Sequence, residues 1–412
     1  MMTHSGKRQR LIIALGAFVV SLIATLLAVD APPAAPAPGT GATAEPSATA
    51  SDGPRELNIG IAYGDSLTWK SETELAVALD DAVNSRAGWI RVDLSWNNIQ
   101  PDTPKNYEWQ RFDRIAKAAQ ERHLTVLATI GYTPKWARRT GCGGDSSCAP
   151  ANPDTFAAFA RKAAERYAPM GVHTWEVWNE PNLPFWAPKP DPAAYTKLLK
   201  STAAALRAAD KQAYVVLGGL AAVSTGQNEG YVSQFDFLTA VCELGANKVV
   251  DAIGYHPYTY PHLPSDRTDF GTAFENISST HDNLVGILQR YGTPNLPIWL
   301  TETGAATNGP GQASDGRTTP ANATHVTEDL QAAIATDTVP ASAANPHVNA
   351  VFWYSDQDSG TDKDKAHRSM FYGLRRYDGT PKPALAAWGA AVAAYRDGLA
   401  AGRRGPSPSA GR

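Results

Sequence analysis

Two glutamates in the 412-residue chain stand where bond-breaking chemistry can be done. Glu180 lies in the run WEVWNEPN that begins at Trp175, and Glu302 in IWLTETG, which begins at Ile298. Each closes a short apolar run with a carboxylate, which is where a strand of a parallel barrel delivers a catalytic group. Two carboxyl groups held roughly 5 Å apart can divide one reaction: one protonates the leaving oxygen of an acetal while the other attacks its carbon. The pair therefore points to cleavage of a glycosidic bond. Glu302 is expected to be ionised and Glu180 to carry the proton.

Other carboxylates fit this role less well. Glu176 shares a strand face with Glu180, but at about 3.3 Å per residue it sits about 13 Å deeper, as a buried structural acid. Asp65, Asp356 and Asp358 lie in polar loops and are expected to be solvated.

The elements that must position the pair are legible as an alternation of short apolar or β-branched runs with alanine-rich amphipathic stretches. Strands are expected at Leu57 to Ala62, Trp89 to Leu94, Leu124 to Ile130, Thr174 to Trp178, Tyr214 to Leu217, Val249 to Gly254, Ile298 to Thr301 and Ala350 to Tyr354. Helices are expected at Glu72 to Asn84, Trp109 to Arg122, Pro153 to Tyr167, Pro192 to Ala209, Tyr231 to Leu244, Ala273 to Tyr291, Glu328 to Thr336 and Pro383 to Arg396. Eight such units make a (β/α)8 TIM barrel of class α/β. A doubly wound sheet is the competing architecture, but polar and aromatic residues gather after the strands and no Gly-x-Gly-x-x-Gly opens a helix.

Residues 1–30 place Lys7, Arg8 and Arg10 before an uncharged apolar stretch, the arrangement of a signal peptide or membrane anchor with the rest of the chain outside. Residues 31–55, rich in Ala, Pro, Thr and Ser, read as a disordered linker, residues 56–398 as one domain, and residues 399–412 as a disordered tail. A net charge of −3 with dispersed basic residues excludes the footprint of a nucleic-acid binder. Cys142 and Cys148 flank a short flexible loop and are expected to form a disulfide, in keeping with export, while Cys242 reads as a buried thiol. No metal ligands fall at suitable spacing, and neither a metal nor another cofactor is expected. A monomer acting on carbohydrate, extracellular or tethered to the outer face of the membrane, is the expectation.

The segment WEVWNEPNLPFW, from Trp175 to Trp186, resembles the acid/base strand of glycoside hydrolase clan A, most of all family 39, with family 5 next. IWLTETG resembles the clan's nucleophile strand. The resemblance implies Glu180 as acid/base, Glu302 as nucleophile and Asn179 as the partner of the sugar 2-hydroxyl. IGYHPYTY implies His256 and Tyr258 beside the nucleophile. Arg91 in RVDLSW resembles the arginine that keeps the nucleophile ionised, and Trp353 in VFWYSDQD the aromatic floor beneath the cleaved sugar.

From their places after strand ends, Tyr132, Trp136, Phe185 and Trp186 are candidates to stack on flanking sugars. The loop carrying Lys135, Arg138 and Arg139 suits an acidic or sulfated sugar, although a solvated basic loop is the commoner case. Family 39 enzymes often carry a β-sandwich, for which no room remains after the eighth strand. An endo-acting or oligosaccharide-trimming enzyme is thus favoured, with an exo-acting β-xylosidase or arabinofuranosidase as the alternative and a noncatalytic carbohydrate-binding barrel as the rival from another class.

Overall fold

The computed structural model describes residues 56–142 and 144–403; the expected signal or anchor (1–30) and the linker (31–55) lie outside the described residues. Eight parallel strands close into a barrel in the order β1 (Asn58–Ala62), β10 (Val348–Tyr354), β7 (Ile298–Thr303), β6 (Ala252–His256), β5 (Tyr214–Ala221), β4 (Thr174–Val177), β3 (Thr125–Gly131), β2 (Trp89–Ser95). The remaining two, β8 (Gln312–Ser314) and β9 (Ala323–Val326), pair as a small ribbon in the loop after β7. Around the barrel run α1 (Glu72–Asn84), α2 (Trp96–Ile99), α3 (Gln110–Glu121), α4 (Pro153–Tyr167), α5 (Pro192–Ala209), α6 (Gln234–Glu243), α7 (Leu284–Arg290), α8 (Glu328–Ala344) and α9 (Pro383–Arg403). Among the described residues no helix is long and apolar enough to cross a membrane.

Local sequence sets most helix starts. Ser71 and Glu74 form a reciprocal capping box on α1, Asn152 and Asp191 cap α4 and α5 with proline at the first helical position, and Thr327 caps α8. Four helices depart from the expected bounds by more than one residue, α6 by starting at Gln234 after its Ser233 cap instead of at Tyr231. The Glu275 carboxylate accepts from the backbone N–H groups of Thr268 and Thr272, which folds that stretch into a loop and delays α7 until the Asn283 cap. Helix α8 instead continues through Pro340, because its face of Ile334, Ala335, Thr338, Val339 and Ser342 is buried and tertiary packing outweighs the local cost of the proline. Helix α9 runs to Arg403, past its expected end at Arg396 and the expected domain boundary at 398.

The lower interior of the barrel is aromatic. Trp299 stacks on Tyr214 at 5.1 Å and meets Trp89 edge-on at 5.5 Å, with Phe352 beside both. Phe352 fits only because Gly60 has no Cβ, since one there would lie 2.4 Å from its ring. This plug leaves the upper, C-terminal end of the strands free for polar groups.

Candidate active site

Strands β2, β4, β6 and β7 each raise one member of a connected polar cluster at the C-terminal mouth. Arg91, on β2 and 1% exposed, donates from Nε to Glu176 (2.6 Å), from one terminal nitrogen to Glu302 (2.6 Å) and from the other to Asn179 Oδ1 (2.7 Å). Glu176 also accepts from the Thr129 hydroxyl (2.8 Å) and the Gly219 N–H (3.0 Å), so it anchors the arginine from below. Its position matches the buried structural acid that strand geometry implies. The other oxygen of Glu302 accepts from the Tyr258 hydroxyl at 2.7 Å.

Glu180 stands just past the end of β4, where the chain leaves the strand with Trp178 at φ 73° and Glu180 at φ 46°. Left-handed backbone at two non-glycine residues in three is uncommon and marks a site fixed by its surroundings. Here the Glu180 N–H donates to the Gly219 carbonyl at 3.0 Å. His256 completes the group, its Nδ1 lying 3.0 Å from Glu180 and 3.6 Å from Glu302, its Nε2 3.1 Å from the Thr301 hydroxyl. Two glycines make this packing possible. A Cβ on Gly219 would fall 2.0 Å from His256 Nε2, and one on Gly254 would fall 2.8 Å from the Glu176 carboxylate.

An oxygen of Glu180, a ring nitrogen of His256 and an oxygen of Glu302 lie within 4.8 Å of one another. That is compact enough for a cation, but Arg91 and Tyr258 already engage both oxygens of Glu302, and such a donor set suits proton and group transfer better. Burial alone would push the Glu302 carboxyl up, yet His256, Arg91 and the Tyr258 hydroxyl outweigh it and hold it below the ordinary glutamate range. Burial lowers the His256 imidazole, but Glu302 and Glu180 together raise it above its ordinary value. Desolvation and the charge of Glu302 push the Tyr258 phenol well up, so it remains a donor. Nearby Asp93, which accepts from Tyr132, is pushed up to about 7, chiefly by burial against the pull of Arg91.

The mouth of the barrel opens into a cleft of about 3270 Å³, lined among others by Asn179, Glu180, His256, Tyr258, Glu302 and Tyr354. The sequence pattern described as Cellulase (glycosyl hydrolase family 5) matches residues 56–358. The chain belongs to glycosyl hydrolase family 5. That is the second of the two families its motifs resemble. A β-xylosidase of Geobacillus stearothermophilus is 27% identical over 170 residues, 31% of this chain and 32% of that one, so the match spans about a third of the curated relative. Among solved structures, a family 39 glycoside hydrolase from Bacteroides cellulosilyticus WH2 superposes with a TM-score of 0.63 at 20% identity, covering 83% of this chain and 64% of that chain. A family 5 subfamily 18 protein from Streptomyces cattleya, solved with GlcNAc, superposes with a TM-score of 0.58 at 18% identity, covering 83% and 81%. Both share the fold of this family 5 chain.

Several expected aromatic contacts lie elsewhere. Side chains alternate along β10, so Ala350 and Phe352 face the barrel interior while Val351 and Trp353 face the helices. Trp353 is therefore not the floor of the cleft. It is fully buried with its ring 5.8 Å from Trp388 of α9, and its neighbour Tyr354 presents the aromatic surface instead. Trp186 is 1% exposed and packs edge-on against Trp178 and Tyr195, while Trp136 meets Trp96 edge-on and donates to the Gln100 carbonyl; neither lines the cleft. Phe185 and Tyr132 do line it.

Asp356 and Asp358 are not solvated either, being buried in ion pairs with Lys70 (3.2 Å) and Lys382 (2.8 Å). Arg138 spends its guanidinium on the carbonyls of Thr133 and Gly144. The Cys142–Cys148 disulfide is formed and holds the loop that brings Gly144 to Ser146 to the cleft, and Cys242 is a buried thiol. Sequence reasoning missed Tyr354, Tyr372 and Arg368 as cleft residues. Only the period-two phase of β10 carried a signal for the first, and the other two sit in a long loop without periodicity.

Proposed function

We propose that this family 5 glycosidase is a retaining, endo-acting enzyme that cleaves O-glycosidic bonds inside an extracellular or cell-envelope polysaccharide. The observation that carries the reading is the approach of the Glu180 and Glu302 carboxylates to within 4.8 Å, the spacing suited to double displacement, since an inverting pair stands roughly 6.5–9.5 Å apart to admit water. In the first step a Glu302 oxygen bonds to the anomeric carbon as the C–O bond to the leaving sugar breaks, and the Glu180 proton moves to that oxygen. In the second, Glu180 takes a proton from water, whose oxygen displaces Glu302 and restores both carboxyl groups. Arg91 and Tyr258 hold Glu302 ionised and aimed, and Asn179, fixed by Arg91, faces the sugar.

Cleft size supports internal cleavage. A volume of about 3270 Å³ exceeds the roughly 300–1,000 Å³ of a small-molecule pocket and admits several rings. At its rim Trp69 is 43% exposed, one face covered by the Arg111 guanidinium at 3.9 Å, leaving the other face for a sugar. The N-terminal apolar stretch motivates the proposal of export or outer-face tethering. Exo-acting xylosidase activity is the second reading, favoured by the partial match to a β-xylosidase.

A fluorosugar mechanism-based label should attach to Glu302, and Glu302→Ala should lose activity on the order of 10⁴-fold and regain part of it with azide. Unchanged turnover in that variant, or label on another residue, would overturn the mechanism. The length distribution of early products separates internal from terminal cleavage.

A further inference from the structure

A nearly buried cation in the cleft has no carboxylate to answer it. Arg368, 9% exposed, lines the cleft on the loop after β10. Among the described residues its guanidinium forms no ion pair, and the side chain's one hydrogen bond is a long donation, 3.4 Å, to the Thr324 carbonyl. Its Cζ sits 6.0 Å from the Tyr260 ring, and the stem packs where a Cβ on Gly309 would come within 2.9 Å of its own Cβ, so its position is set by packing. Of the other arginines lining the cleft, Arg138 already spends donors on carbonyls and Arg111 lies over the Trp69 ring. A guanidinium stays charged at any physiological pH and offers five donors in a fork matched to a planar or tetrahedral oxyanion. Desolvating it without a partner is unfavourable unless an anion arrives to use it.

The place of this charge is as informative as its isolation. Tyr258, whose hydroxyl holds Glu302, lies 5.3 Å from the Tyr372 ring. The Tyr372 hydroxyl is hydrogen-bonded to that of Tyr260, the ring beside Arg368. One aromatic ladder thus connects the nucleophile to the unpaired guanidinium, and all four residues line the same cleft. Half-buried His325, whose imidazole burial pushes below its ordinary value, packs with Arg368 around Gly309.

We propose that Arg368 binds an oxyanion on the substrate, the carboxylate of a uronic acid or a sulfate ester, on a sugar next to the bond that is cleaved. This rests on the reading of the cleft as a polysaccharide site. It makes the substrate an anionic glycan.

The test uses the full chain and measures binding of D-glucuronate, D-galacturonate, D-mannuronate and inorganic sulfate, each sugar against its neutral parent, by calorimetric titration. At least one anion should bind roughly tenfold or more tighter than its neutral counterpart, the effect of one charge-assisted forked contact. Arg368→Gln should erase that preference and leave neutral-sugar binding within about twofold, while Arg368→Lys should keep part of it as a point charge. Tighter binding of a uronate than of sulfate assigns a carboxylate, and the reverse a sulfate ester. Anions that bind no better than neutral sugars, or a preference that survives in Arg368→Gln, would overturn the proposal. Labelling of Glu302 in Arg368→Gln shows that the variant retains a formed site, and failure of labelling in the wild-type chain would instead count against the retaining mechanism.

Discussion

The lower and upper halves of the barrel interior are built from the same strands and obey opposite rules. Below, Trp89, Tyr214, Trp299 and Phe352 fill the space between β2, β5, β7 and β10 with rings and no charged group. Above, on neighbouring positions of those or adjacent strands, Arg91, Glu176, Thr129, His256 and Glu302 form a buried hydrogen-bonded network in which nearly every donor has a named acceptor. The lower plug can be altered at a cost in stability alone. The upper network ties stability and the proposed chemistry together, because Glu176 and Glu302 share one arginine.

Paired substitutions give the largest effects. Trp299→Ala should lose about 3–5 kcal/mol of stability through the cavity it leaves, with kcat/KM unchanged in the folded fraction. Glu176→Ala should lose a comparable amount, about 3–5 kcal/mol, by stranding Arg91, and should also lower kcat at least about tenfold as Arg91 and Glu302 shift. Denaturant melts read beside kinetics check both, and equal kinetic losses in the two variants would erase the distinction between the halves.

A smaller effect sharpens the upper network. Tyr258→Phe removes one of the donors that hold Glu302 down, so kcat should fall about 10- to 100-fold and the acidic limb of the pH profile should move up. The sign extends to stability. Glu302, depressed in the fold, contributes stability above the ordinary glutamate range that is lost as pH falls through its lowered value. His256, raised in the fold, contributes below its ordinary value, and that part is lost as pH rises through the raised value. The unfolding temperature should therefore crest between the two, and the acid side of the crest should retreat to higher pH in Tyr258→Phe.

The smallest effect concerns which ring meets the sugar. Tyr354→Ala should raise KM by about five- to tenfold, whereas Trp353→Phe should leave KM alone and cost about 1–2 kcal/mol of stability. A KM change in the tryptophan variant would restore it to the cleft.

This last pair also shows how far the sequence carries. Glu180, Glu302, Arg91, His256 and Tyr258 were legible because a strand-end motif fixes both residue type and direction. Trp353 and Tyr354 were not separable, because moving a strand's phase by one residue exchanges inside for outside while the string stays equally apolar. Trp136 and Trp186 failed for a related reason: after a strand end the chain turns freely, so nearness in sequence to a strand end says little about facing the cleft. Asp356 and Asp358 looked solvated because their partners, Lys70 and Lys382, are distant in sequence. The barrel itself was clear, while α7 and α8 shifted where the Glu275 loop and the buried face around Pro340 overrode local preference.

Gly219 and Gly254 carry no side-chain functional group and do not line the cleft, yet each occupies space that only a hydrogen atom can share with His256 or Glu176. In a saturation-mutagenesis screen for activity both positions should therefore score like catalytic residues, with even alanine rejected. A search for this active site in other chains that weighed only acids, bases and aromatics would overlook the two places where nothing is what the enzyme requires.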